Sequence, residues 1–186
     1  PGRFTDEDVK KKFVADIQAA QSIDSPHIVR ILDFGIDFSL DGSPFVVEEI
    51  VEGETLADFF ARSLAFDLPE AVDIGSDIAR ALHMAHHANV VHGFLRPDKV
   101  IVLGVSREDP VKIMDLGFAS LVPKIEPNTL GMVDALKYLS PELREGSIDA
   151  RSDIFSLGVM LYEMITGVPP SQPSSRRNGE NGMSLR

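Results

Sequence analysis

Two apolar helical repeats constrain this chain more than any other feature. Ala71, Ile74, Ile78, Ala81, Leu82 and Ala85 recur at three- and four-residue spacing, which lays them along one face of a helix running to about Ala88. Asp67, with Pro69 in the first turn and Glu70 three residues on, supplies its start signal. Ile154, Leu157, Leu161, Met164 and Ile165 form a second repeat, stopped by Gly167 and Pro169-Pro170. The stretch Ile154 to Val168 is too short to span a bilayer and carries Glu163, so it reads as a buried helix. Two such helices need each other, or a sheet, to cover their apolar faces.

The remaining segments alternate short strands with further helices. Thr5 can cap a helix with an acidic first turn (Asp6, Glu7, Asp8) and a body reaching Gln21, ended by Ser25-Pro26. Ile28 to Phe34 and Pro44 to Val51 are strand-like runs, with the turn residues Asp41-Gly42 between them. Glu52-Gly53 breaks the second run, and Thr55 caps a short helix through Phe60. Val100 to Val105 and Val111 to Met114 read as strands around a polar turn, and Pro123 to Asp134 as an exposed loop. From Ser171 onward there is little to bury, which predicts a flexible tail over residues 171–186. The pattern predicts an α+β domain.

Composition removes several function classes. The formal charge of −11 over 186 residues opposes a nucleic-acid grip, which needs a basic surface to displace counterions, and opposes adhesion to anionic membranes. With no cysteine there is no disulfide framework and no thiolate-bound zinc. Residues 1–13 are charged and lack an apolar core, so they do not form a signal peptide, and a cytoplasmic setting is the expectation. His83, His86 and His87 share one helix at metal-like spacing, but no cysteine or neighbouring carboxylate completes a zinc site in the sequence, and packing is the plainer reading.

Four ordered blocks carry the functional signal. They are Val91-His92-Gly93-Phe94-Leu95-Arg96-Pro97-Asp98-Lys99, Val111-Lys112-Ile113-Met114-Asp115-Leu116-Gly117, Lys137-Tyr138-Leu139-Ser140-Pro141-Glu142 and Arg151-Ser152-Asp153-Ile154-Phe155-Ser156-Leu157-Gly158. In this order and spacing they resemble the eukaryotic-like Ser/Thr protein kinases, with wording closest to the bacterial members, over roughly Asp6 to Pro170. The resemblance implies a protein-kinase-like fold: mainly the helical large lobe, with the regulatory helix and last strands of the small lobe. On that reading residues 1–52 are a remnant of the small lobe and residues 53–170 the large lobe as far as its central buried helix. The glycine-rich phosphate loop and the third-strand lysine of the family would lie ahead of Pro1, so the chain is expected to be a piece of a longer protein or a shortened relative. Glu142 would lack the arginine that usually pairs with it.

By the same resemblance His92 to Lys99 is the catalytic loop, Asp115-Leu116-Gly117 the magnesium-binding triplet, and Ser140-Pro141-Glu142 the end of the activation segment. Asp153 would hold the catalytic loop from below, and His92 would be a structural member of the core. Glu49 to Val51 would be the hinge that meets adenine through backbone groups, with Ile101 flooring the base. Asp33-Phe34-Gly35 spells the metal triplet literally, but its place before the hinge makes it a hairpin corner instead.

Several matched positions depart from the family. Phe94 stands for the catalytic aspartate and can neither accept a proton nor hydrogen-bond a hydroxyl. Gly93 replaces the preceding arginine, leaving a phosphate on Thr129 no receptor. Lys99 replaces the metal-binding asparagine, and a charged ammonium has no lone pair for a cation. Arg96 replaces the customary lysine, Asp134 and Ala135 stand for a glycine and a threonine, Asp16 is a shortened regulatory-helix glutamate, and Glu48 sits at the normally apolar gatekeeper position. Asp115 could still hold one divalent ion against a nucleotide, or it could pair with Lys99 and leave the site ion-free. The expectation is a pseudokinase that binds a protein partner as a scaffold or allosteric module. The alternatives are a weak ATP- and Mg2+-dependent phosphotransferase using Asp115 and Arg96, and an ATP-binding switch.

Overall fold

The computed structural model describes residues 7–37, 43–62, 65–104, 111–121, 135–144 and 146–170. The expected cap Thr5, the loop at residues 123–134, Thr129 and the tail from Ser171 lie outside them. Helix α1 (Glu7–Gln21) has an acidic first turn and buries Phe13, Ile17 and Ala20 on one face. It is followed by the antiparallel ribbon of β1 (Ile31–Asp37) and β2 (Ser43–Glu48). The first strand starts three residues later than the apolar run suggests. Ile28 instead bridges Ile113, and Val29 donates to the Ile113 carbonyl at 2.9 Å, so the early part of that run is spent on the second sheet.

That second sheet has the order β3 (Glu54–Thr55), β4 (Val100–Val102) and β5 (Val111–Ile113), all antiparallel. It is shorter than the apolar runs predict: Leu103, Gly104 and Met114 fall outside the strands. Helix α2 (Leu56–Ala61) begins with a capping box in which Thr55 accepts from the Asp58 backbone and the Asp58 side chain answers Thr55. Asp33-Phe34-Gly35 lies inside β1, opposite Val47, Val46 and Phe45, rather than at a hairpin corner.

The centre of the fold is the pair α3 (Leu68–His87) and α5 (Ala150–Thr166). Helix α3 starts at the predicted Asp67–Glu70 capping box and buries the predicted stripe from Ala71 to Ala85. Gly75 lets the two helices approach closely: a Cβ there would stand 2.5 Å from Leu161 Cδ2. Helix α5 is capped by Asp149 and ends at Gly167 in the left-handed conformation, φ 73°. It is buried on one side only. Leu157, Val159, Met160 and Met164 enter the core, whereas Ile154 and Ile165, expected inside, are 54 and 49 % exposed. A short helix α4 (Pro141–Arg144) precedes it. No helix among the described residues is long and apolar enough to cross a membrane. The mixture of helices and two small sheets is the expected α+β, kinase-like architecture.

Candidate functional site

The segment Val90 to Val100 crosses between α3 and α5 and is held from inside. Asp153, in the first turn of α5, is completely buried. Its carboxylate accepts the backbone N–H groups of His92 (3.0 Å) and Gly93 (2.8 Å), and His86 Nε2 lies 2.7 Å from Oδ2. His86 is therefore a polar clamp on this aspartate, which a packing role would not predict. His92 is buried with Nε2 3.1 Å from the Met114 carbonyl, and burial lowers its pKa, which favours the neutral imidazole. His83 and His87 only stack on each other at 6.3 Å between ring centroids, and no group of three potential metal ligands occurs among the described residues.

Beyond the clamp the chain turns outward. Gly93 adopts φ +73°, and a Cβ on it would be 3.0 Å from both Ala119 Cβ and Ile148 Cγ2. Phe94 packs against the buried pair Leu139 and Leu143, together with Leu136 and Ile148. The Arg96 guanidinium lies over the Phe94 ring, 4.5 Å from its centroid, a cation–π contact. Arg96 also donates to Asp98 at 2.7 Å. A short turn, Pro97–Lys99, then delivers Lys99 to Asp115: Nζ is 2.5 Å from Asp115 Oδ2 and 3.6 Å from Asp98 Oδ2.

Asp115 itself has φ 60°, uncommon outside glycine, asparagine and aspartate. Its N–H donates to Glu48 Oε1 at 3.0 Å. The Glu48 carboxylate is thus answered by a backbone donor, a partner that no sequence motif announces. Magnesium in this family would need oxygen or amide ligands at positions 99 and 115. Here an ammonium occupies position 99 and rests on the Asp115 carboxylate, and that pair does not fit a divalent cation held in that manner. Just after β2, Glu49 donates its N–H to the Arg30 carbonyl (2.9 Å), while its carboxylate takes Lys112 Nζ (2.6 Å) and the Arg30 N–H (3.1 Å). These contacts, the Lys112 bond first, hold the Glu49 pKa below its ordinary value. Val51 is half-buried and Ile101 buried beneath the same region. Asp16 is not reaching toward the cleft: both its oxygens meet Lys12 on its own helix, at 3.0 and 3.1 Å.

Glu48 offers a pH test. Burial, the largest cause, raises its pKa above 4.5, with the neighbouring Asp115 and Glu49 pushing the same way against the Asp115 N–H and Lys99. A carboxyl whose folded pKa is raised contributes stability below its unfolded pKa and loses it as pH rises through the folded value. Glu48→Gln keeps an oxygen for the Asp115 N–H and drops the charge. Urea unfolding should show this variant gaining on the wild type as pH climbs from below 4.5 toward neutrality. A variant that loses ground over that range would contradict the assignment.

Comparison with known proteins bears on the whole arrangement. The protein kinase domain family matches residues 3–184. A probable serine/threonine-protein kinase of Clostridium perfringens is 34% identical over 166 residues, covering 88% of this chain and 23% of the relative. The serine/threonine-protein kinase PknB of Mycobacterium leprae is 34% identical over 163 residues, covering 86% and 26%. A probable serine/threonine-protein kinase of Clostridium acetobutylicum is 34% identical over 167 residues, covering 89% and 24%. The chain thus spans about a quarter of the length of these relatives. With the buried Asp153 under the loop and the matched blocks gathered around it, the chain belongs to the protein kinase domain family and is similar to bacterial Ser/Thr kinases.

Proposed function

We propose that this domain is a catalytically impaired member of the family, a cytoplasmic module that acts by binding another protein as a scaffold or allosteric partner. The observation that carries the reading is Phe94. The place from which a kinase carboxylate would orient the acceptor hydroxyl holds a phenyl ring, set among Leu139, Leu143 and the Arg96 guanidinium. A phenyl ring offers no proton acceptor. Loss of a positioned base lowers rates by about 10²–10⁴-fold. The Lys99–Asp115 pair supports the same reading, because it neutralises the carboxylate that would otherwise serve a cation.

A second reading is favoured by the relatives, which are named as Ser/Thr protein kinases. On it the domain transfers phosphate weakly, relying on Asp115 and Arg96 with a base from elsewhere in the protein. ATP binding without transfer is an intermediate case, in which the backbone around Glu49 and Val51 and the side chain of Ile101 receive the base.

The test uses the full-length protein: calorimetric titration with ATP, with and without Mg2+, followed by a phosphotransfer assay on wild type and Asp115→Ala. The impaired-module reading expects no transfer above background in either protein. Wild-type transfer that disappears in Asp115→Ala would establish the second reading instead. Magnesium-dependent heat without transfer would mark the domain as a nucleotide-binding switch.

A further inference from the structure

Gly93 and Phe94 are adjacent departures from the family pattern, and their contacts converge on one residue. Ile148 stands where a Cβ on Gly93 would be 3.0 Å from its Cγ2, and it also belongs to the cluster around Leu139 and Leu143 that receives Phe94. The bare Gly93 backbone leaves room for Ile148 and for Ala119 from the segment after Asp115-Leu116-Gly117. Phe94 packs against the two buried leucines, and the Arg96 guanidinium lies over its ring.

We infer that Gly93 and Phe94 form an apolar latch that ties the catalytic-loop segment to the stretch around Leu139, Leu143 and Ile148 by packing. That stretch has little else of its own. It consists of the turn Ala135–Lys137, the one-turn helix α4 and a few backbone bonds: Tyr138 to Ala135 (3.1 Å), Leu143 to Ser140 (3.2 Å), Gly146 to Leu143 (3.0 Å) and Ser147 to Glu142 (3.1 Å). Its other ties run to α5, where Tyr138 Oη donates to Glu163 at 2.6 Å and Ser156 Oγ donates to the Tyr138 carbonyl at 2.7 Å. Those bonds fix Tyr138. Leu139, Leu143 and Ile148 belong to the apolar cluster that Phe94 joins.

The latch has an unintuitive consequence. Restoring an aspartate at position 94 would not simply repair a kinase site. It would place a carboxylate against Leu139 and Leu143 and release the segment. The inference is independent of whether the domain transfers phosphate, because it is read from backbone protection.

Hydrogen exchange of the full chain tests it, comparing wild type with Phe94→Leu, Phe94→Ala and Phe94→Asp. Removing the ring should speed exchange at the amides of Leu143, Gly146 and Ser147 by roughly ten- to hundredfold in the Ala and Asp variants. Phe94→Leu, which keeps an apolar body, should hold most of the protection, and amides in the middle of α3 should be unchanged. Gly93→Ala should open the same amides by displacing Ile148, and together with Phe94→Leu it carries the test where Phe94→Asp does not fold. Unchanged exchange at these three amides in Phe94→Ala overturns the latch. So does an equal loss across α3 and α5, which would make Phe94 an ordinary contributor to global stability.

Discussion

Replacing Asp153 by alanine is expected to destabilise the domain by about 3–5 kcal/mol, the range seen when one partner of a buried charged cluster is removed. The carboxylate is fully buried and accepts from His92 N–H and Gly93 N–H, with His86 Nε2 beside it. Alanine would leave two buried backbone donors and an imidazole without their partner. Each unsatisfied group alone costs about 1–3 kcal/mol. Asp153→Asn should be milder, since one amide oxygen can still accept, although its NH2 group would face a backbone N–H. Urea denaturation checks both. A loss below about 1 kcal/mol for Asp153→Ala would mean that solvent reaches these donors, against the burial described here.

The second large effect is expected at Phe13. It is fully buried in α1, and its ring lies 6.1 Å from that of Phe118, at an interplanar angle of 59°. Truncation to alanine removes the transfer free energy of the ring and leaves a cavity, together about 3–5 kcal/mol. The damage has a direction. Phe118 directly follows Asp115-Leu116-Gly117, and a Cβ on Gly117 would come within 2.9 Å of Ile17 Cδ1, so α1 lies against the triplet itself. Phe13→Ala should therefore loosen the Asp115 region before it loosens α3. Thermal unfolding gives the total, and hydrogen exchange shows whether the Leu116 to Phe118 amides open first. Equal opening everywhere would mean that α1 is not a separate support.

Much of this molecule is legible in its residues. Helix α3 begins at the expected capping box and its apolar spacing picks out its buried stripe, and α5 ends at the expected Gly167, although its cap at Asp149 was not foreseen. The ordered blocks around His92, Asp115, Ser140 and Asp153 suffice to assign the family and to mark Phe94, Gly93 and Lys99 as departures. These features are local, because a cap, a period or a motif is complete within a few residues. The one-sidedness of α5 was not local: Ile154 and Ile165 fit an apolar helix, yet they face outward. Nor was the later start of β1, because Ile28 and Val29 pair with Ile113, more than eighty positions away.

The site divides in the same way. Which side chains are present was written in the sequence, along with the chemistry they lack, and the Lys99–Asp115 contact was one of two alternatives that their types allowed. Tertiary structure alone gave the geometry of that contact, with an ammonium 2.5 Å from the carboxylate. It also disclosed partners that no motif names: Glu48 accepting the Asp115 N–H, Lys112 turned onto Glu49, Asp16 turned back to Lys12, and His86 clamped on Asp153. The physical reason is common to all four. A residue's type sets what it can donate or accept, whereas its partner depends on which backbone or side chain the fold brings within about 3 Å, whether on the same helix, as for Lys12, or far along the chain, as for the other three.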